Sequence, residues 1–167
     1  KLSIKIRYKP ILLGGLHNLH GIKAPAFIPA KAKHMIRDCK LIAERNNVKF
    51  KFNSYFPIRS LNLMRGVLVA EEDNIKSYYI DSIFNTIWQD GLNMNDESII
   101  QRVLKNLNVN PKTFLLRCTS SSVKDLLRQK TNEAYQKGVF GAPTFMSNNK
   151  IFWGQDRIEF VLNEANK

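Results

Sequence analysis

The hydrophobic period changes twice along this chain. Residues 2–9 read Leu-Ser-Ile-Lys-Ile-Arg-Tyr-Lys, alternating apolar and polar in the two-residue period of a half-buried strand. Pro10 ends them, and we expect a strand over 2–9. Between Ile11 and Pro29 the period is interrupted by Gly14, Gly15, Gly21, Pro25 and Pro29. This predicts a long loop, and long loops in compact domains are commonly functional.

From Ala30 the period becomes helical, with Met35, Ile36, Cys39, Ile42 and Ala43 on one face. Val48–Pro57 reads as a short extended connection. Ser60 is expected to cap a helix carrying Leu61, Met64, Val67 and Leu68. The next helix is the clearest: Tyr79, Ile80, Ile83, Phe84, Ile87 and Trp88 recur at helical spacing, and Gly91 stops it. Asp96 opens another, with Ile99, Ile100, Val103, Leu104 and Leu107. Asn110-Pro111 joins a capping residue to a proline at the first helical position. Ser122 with Asp125 opens a helix that runs to Gly138. Strands follow at 143–147 and 150–153, joined by Asn148-Asn149, a tight-turn pair that tolerates positive φ. A last helix has Ile158, Val161 and Leu162 inward, with Asp156 and Glu159 in its capping pattern.

The order is strand, loop, helical block, hairpin, helix, without internal repeats. The opening strand must find a sheet partner in the hairpin, in a strand preceding residue 1, or in both. The chain starts at Lys1 and passes directly into the alternating segment, so we expect further residues before it.

Bulk properties narrow the picture. A length of 167 residues suits one domain, and 44% apolar residues supply a core. No apolar run approaches the ~18–20 residues of a membrane span, and no secretory leader is visible. The formal charge of +12 favours anionic partners. The basic residues are dispersed, however, and the nearest to a cluster is Lys31, Lys33, Arg37 and Lys40. No nucleic-acid motif accompanies them, so we expect no nucleic-acid and no membrane partner. Cys39 and Cys118 form neither C-x-x-C nor a zinc spacing. Both sit at apolar helical positions and read as small core residues in a reducing, cytoplasmic compartment.

The C-terminal stretch Gly138-Val-Phe-Gly-Ala-Pro-Thr-Phe145, followed by a hairpin and helix, resembles the C-terminal part of a thioredoxin-type fold. Four stretches resemble the kappa-class glutathione transferases and 2-hydroxychromene-2-carboxylate isomerases, relatives of the DsbA-type disulfide oxidoreductases. They are Tyr8–Gly15, Pro29–Met35, Phe56–Arg65, and Gly138–Phe145 with Phe152-Trp-Gly-Gln-Asp-Arg157. The resemblance implies an α/β, thioredoxin-like fold with a helical insertion. Residues 1–29 and 139–167 would form the thioredoxin-like part, and 30–138 a mainly helical insertion domain. It also implies a preceding strand and helix whose turn carries Ser-Pro, or C-x-x-C in the oxidoreductases. The catalytic serine is therefore expected outside this chain.

The resemblance implies a glutathione site. Pro143 would be cis, and Ala142 would offer its backbone to the cysteinyl unit as an added strand. From the residues alone, Pro143 is equally an ordinary trans proline at a strand start. Asp156 would bind the α-ammonium, or simply cap the last helix. The N–H groups of Gln155 and Asp156 would face the γ-glutamyl carboxylate. Gly154 would allow close approach, Lys31 would pair with the glycyl carboxylate, and Trp153 would pack.

The family often has asparagine where this chain has Ile22, and its isomerases commonly have asparagine where this chain has Arg59. Arg59 would clamp a carboxylate on the second substrate or face water. His17, Asn18 and His20 lie in the loop that would roof that substrate. They are candidate acid–base groups or plain loop residues, and no third ligand accompanies the histidines to suggest a metal. The implied activity is a glutathione-dependent isomerase or transferase acting on a small aromatic carboxylate, in a homodimer. Two alternatives stay open: a DsbA-like thiol–disulfide oxidoreductase, and a non-catalytic basic binding module.

Overall fold

A computed structural model describes residues 4–167. The chain forms two compact units. Unit 1 holds the residues up to Ile22 together with Arg128–Lys167, and unit 2 holds Lys23–Leu127. The helices are α1 (Leu13–Leu19), α2 (Pro29–Arg45), α3 (Leu61–Glu72), α4 (Lys76–Trp88), α5 (Glu97–Asn106), α6 (Pro111–Cys118), α7 (Ser121–Gln136) and α8 (Ile158–Ala165). Two 3-10 turns, Pro25–Phe27 and Gln155–Arg157, and a hairpin of β1 (Thr144–Ser147) and β2 (Lys150–Trp153) complete the described elements. The Phe56–Pro57 and Ala142–Pro143 peptide bonds are cis.

Five of the helices stop by one device. A residue with positive φ follows the last turn: Gly21, Asn47, Asn74, Asn108 and Gly138. The apolar residue after it donates its N–H five residues back, as in Val48 to Ala43, Ile75 to Ala70 and Val109 to Leu104. The positive-φ residue donates three back. This is the Schellman arrangement, which satisfies carbonyls that would otherwise end unbonded. Helix starts use side chains: Asp96 Oδ1 accepts from Ser98 N at 2.9 Å and Asn110 Oδ1 from Thr113 N at 3.1 Å.

In unit 2, α3 packs on α4 and α6, and α5 joins α4 and α6. The core holds Leu63, Val67, Leu68, Tyr79, Ile83, Leu104 and Phe114, each at most 4% exposed. Tyr79 donates to the Leu63 carbonyl, so its hydroxyl is satisfied, and burial pushes its pKa up. Fully buried Asn53 donates to the carbonyls of Ile87 and Leu92 and accepts from Tyr55 N, tying the connection before α3 to the end of α4. Arg117 bridges Glu72 and Asp73, fastening α6 to the end of α3.

In unit 1 the hairpin pairs Thr144 with Trp153 through Ser147 with Lys150. Asn148 and Asn149 both have positive φ, as a type I′ turn requires. Asn148 Nδ2 donates to the Glu164 carbonyl, and the Glu164 carboxylate accepts from Lys150 at 3.0 Å and Lys167 at 3.2 Å.

Several expectations are corrected. Residues 2 and 3 lie outside the described residues, and 4–10 carry no strand. Ile4, Ile6 and Tyr8 are 39–59% exposed, so among the described residues the alternation has no sheet against which to bury. The expected loop 11–29 contains α1, whose Leu16 is fully buried and whose preceding Leu12 N–H bonds Thr131 Oγ1 at 3.0 Å. Tertiary anchoring thus overrides the two glycines. Ser60 makes no capping bond, and Ser120, not Ser122, accepts at the start of α7. Phe84 is 56% exposed because it lies well round the helix from Tyr79, Ile83 and Ile87. Ile158 and Leu162 are exposed as well, since among the described residues α8 packs on the two strands of the hairpin and the 3-10 turn before it. Cys39 is exposed and Cys118 buried.

Two measurements test this architecture. A Cβ on Gly66 would overlap Tyr79 Oη and lie 2.6 Å from its Cζ. Gly66→Ala should therefore cost about 1–3 kcal/mol despite its better helix propensity, seen as a lower denaturant midpoint at constant m-value. Lys150, and then Lys167, hold the Glu164 carboxyl below its ordinary range. A folded pKa below the unfolded value gives stability that is present above about pH 4.3 and lost as pH falls through the lowered value. The gap in Tm between wild type and Glu164→Gln should accordingly be widest near neutrality and close on acidification.

Candidate functional site

The candidate site grows out of the end of α7. Gly138, at φ +79°, turns the chain out of the helix, and Val139 donates to the Ala134 carbonyl. The Val139 carbonyl meets His20 Nε2 at 2.9 Å. Gly141 is buried: a Cβ there would sit 2.6 Å from Trp153 Nε1, so only glycine admits the indole. Its carbonyl accepts from Thr144 Oγ1 at 2.7 Å. The Pro143 carbonyl accepts from Gly154 N at 2.9 Å, extending the hairpin by one bond.

The intervening residue is the exception. Ala142 is exposed, and no hydrogen bond to its N–H or C=O is formed among the described residues. Between the satisfied carbonyls of Gly141 and Pro143, Ala142 thus presents an unspent peptide group to the surface. A backbone group in this state suits an extended, peptide-like partner.

Opposite it lies the bend after β2. Gly154 has φ +112° and ψ +148°, a region essentially reserved for glycine. Asp156 folds back so that Oδ1 would lie 2.5 Å from a Cβ on Gly154. Its other oxygen pairs with Arg157 at 3.2 Å, and the Asp156 side chain is 51% exposed. The expected helix cap is corrected: Asp156 makes no capping hydrogen bond, and with Gln155 it forms the 3-10 turn before α8. Arg157 also lies over the Phe160 ring at 5.8 Å. The bend therefore offers an accessible carboxylate beside backbone that can be approached closely. Trp153 is 54% exposed and packs on Phe140 at 5.1 Å between ring centroids.

The other expected residues are distributed as follows. His17 is buried within α1, and Asn18 is exposed on it. Lys31 stands exposed in the first turn of α2, in unit 2. Arg59, also in unit 2, is exposed, and its backbone N–H donates to Asn95 Oδ1 at 2.9 Å. The thiols are poor nucleophiles. Burial pushes Cys118 up to about 11, and partial burial with nearby Asp38 also raises Cys39. No group of three metal-binding side chains occurs among the described residues, and none of their helices is long and apolar enough to cross a membrane. Sequence reasoning read His20 as a candidate acid–base group or a plain loop residue. Its long-range bond to Val139 carries no local signal.

Gly154→Ala should destabilise the protein by about 1–3 kcal/mol, because it meets both the backbone and the carboxylate. A matching Gly14→Ala change, in a position with open space around it, should be neutral or better, and paired thermal melts would compare them.

Comparison with known proteins gives these observations a family. The DSBA-like thioredoxin domain matches residues 1–165. The chain is 30% identical to 2-hydroxychromene-2-carboxylate isomerase of Pseudomonas sp. (strain C18), covering 98% of this chain and 76% of that one. It is 25% identical to the isomerase of the same name from Sphingobium xenophagum, over 93% and 80%. It is 21% identical to glutathione S-transferase kappa 1 of Rattus norvegicus, over 95% and 76%. These relatives are enzymes. A solved structure of a 2-hydroxychromene-2-carboxylate isomerase superposes with a TM-score of 0.84 at 22% identity, over 96% of this chain and 78% of that one, which shows the shared fold. The chain belongs to the DSBA-like thioredoxin domain family.

Proposed function

We propose that this chain is a glutathione-dependent isomerase or transferase acting on a small aromatic carboxylate, with Ala142 and Asp156 holding the tripeptide. The observation that carries this reading is the unspent backbone of Ala142 beside the Gly154–Asp156 bend. Glutathione is a γ-linked tripeptide with one ammonium, two carboxylates and a thiol. Its cysteinyl unit can bond the Ala142 N–H and C=O as an added strand. Its ammonium suits the exposed Asp156 carboxylate, whose two oxygens offer more acceptor sites than Arg157 occupies. Gly154 lets the ligand backbone approach without a Cβ in the way.

Bound glutathione would supply a thiolate able to add reversibly to a conjugated substrate. The chain's own contribution is binding and orientation, which hold the tripeptide extended along Ala142 so that its sulfur has one position. The names of the relatives supply the substrate class. The dithiol alternative, whose C-x-x-C would precede residue 1, has less support: dithiol exchange has no need of an ammonium-binding carboxylate at Asp156.

A homodimer has its own supporting observation. Helix α2 carries a stripe of Met35, Ile36, Cys39, Ile42 and Ala43, yet none of its residues is buried, a pattern common at faces that bind a partner. Sedimentation would measure it.

Isothermal titration of glutathione into the protein tests the main reading. Wild type should bind, and Asp156→Asn should weaken binding about tenfold, roughly 1.4 kcal/mol. Equal affinity in the two proteins would remove Asp156 from the site. No heat at millimolar glutathione with wild type would remove the function.

A further inference from the structure

We infer that His20 is a positioning residue whose ring N–H clamps the Val139 carbonyl and so sets the turn that presents Ala142. The ligand part of this inference rests on the glutathione reading; the clamp rests on geometry alone.

A carbonyl only accepts, so the 2.9 Å contact requires the proton on His20 Nε2. Both the neutral Nε2–H tautomer and the imidazolium can donate such a bond. The ring is half-buried and lies against Tyr135, with centroids 4.5 Å apart at 58°. It stands on a fixed element. α1 is held at its start by Leu12 N on Thr131 Oγ1, in its middle by fully buried Leu16, and at its end by Gly21 and Ile22, which donate to Asn18 and His17.

The clamped group is equally specific. Val139 is 6% exposed, and its N–H is spent on Ala134. His20 therefore satisfies a carbonyl that would otherwise be buried unbonded, at the cost such groups carry. Beyond the clamp the chain is next fixed at Gly141, by Thr144 Oγ1 and the Trp153 indole. Phe140 and Ala142 flank that point. With His20 in place, the segment is pinned at both ends and Ala142 has one orientation. Without it, the segment is free to pivot at Gly138, where no Cβ restricts φ.

The test is amide hydrogen exchange on ligand-free wild type, His20→Leu, His20→Gln and Tyr135→Leu, with glutathione titrations on the same proteins. In His20→Leu the amides of Gly138 and Val139, which are bonded back into α7, should exchange about tenfold faster, while those of α5 stay unchanged. His20→Gln keeps a donor of similar reach and should recover most of the protection. Tyr135→Leu removes the ring contact but not the donor and should behave as wild type. Glutathione affinity should fall about tenfold in His20→Leu and return in His20→Gln. Should leucine disrupt α1, His20→Asn, too short to reach Val139, takes its place.

Unchanged exchange at 138–139 overturns the clamp, as does faster exchange spread equally over α5. If exchange responds as expected but wild type binds no glutathione, the clamp stands and the glutathione reading falls.

Discussion

A helix that ends inside a protein leaves carbonyls without donors, and the residue that resolves this also decides where the chain goes next. At Gly138 both happen in one step. The left-handed turn lets Val139 donate back into α7, and the same turn delivers the chain to Ala142. The rest of the candidate site follows from that exit. Val139 is fixed by α7 on one side and His20 on the other. Gly141 is held by Thr144 and overlaid by Trp153. The hairpin then returns Gly154 to the Pro143 carbonyl. A different stop, one residue earlier or later, would rotate the peptide at 142 away from the bend at 154–156.

Much of this was legible in the sequence because the signals were local. Asn148-Asn149 and the flanking apolar residues announced a hairpin, and the structure pairs Thr144–Ser147 with Lys150–Trp153. Asp96 and Asn110 announced helix starts through side chains that reach only two or three residues. Gly91 and Gly138 announced stops. What the sequence hid depends on distant partners. α1 forms across a Gly-Gly pair because Thr131 and a buried pocket for Leu16 hold it, and neither is near it in the chain. The alternation of residues 4–9 is present, but a strand is a property of a pair, and no described strand lies beside it.

The site was legible to a different degree. Ala142, Gly154 and Asp156 were picked out through the resemblance of whole stretches, and the structure gives a local reason for the residue type at Gly154, whose φ of +112° suits glycine. Asp156 was misread as a helix cap, because an acid near a helix start looks the same whether it bonds the backbone or faces outward. His20 was read as a candidate acid–base group or a plain loop residue, not as a partner of Val139. Its partner lies 119 residues away, beyond the reach of any spacing rule. The α8 stripe was misread for a related reason: periodicity shows which face is apolar, not whether a two-stranded hairpin is wide enough to cover it.

The unspent peptide of Ala142 has a consequence for how such proteins diverge. A backbone amide is a recognition group that every residue type but proline carries, so a ligand read through position 142, as proposed, would leave its alphabet nearly unconstrained. Selection instead falls on the residues that hold the backbone still: a glycine under an indole, a threonine hydroxyl, a glycine at a helix exit. On the glutathione reading, two descendants could offer the same backbone to the cysteinyl unit and differ in the side chain at 142. Their kinship would be written in turns rather than in reactive groups, and a search for matching catalytic side chains would pass over it.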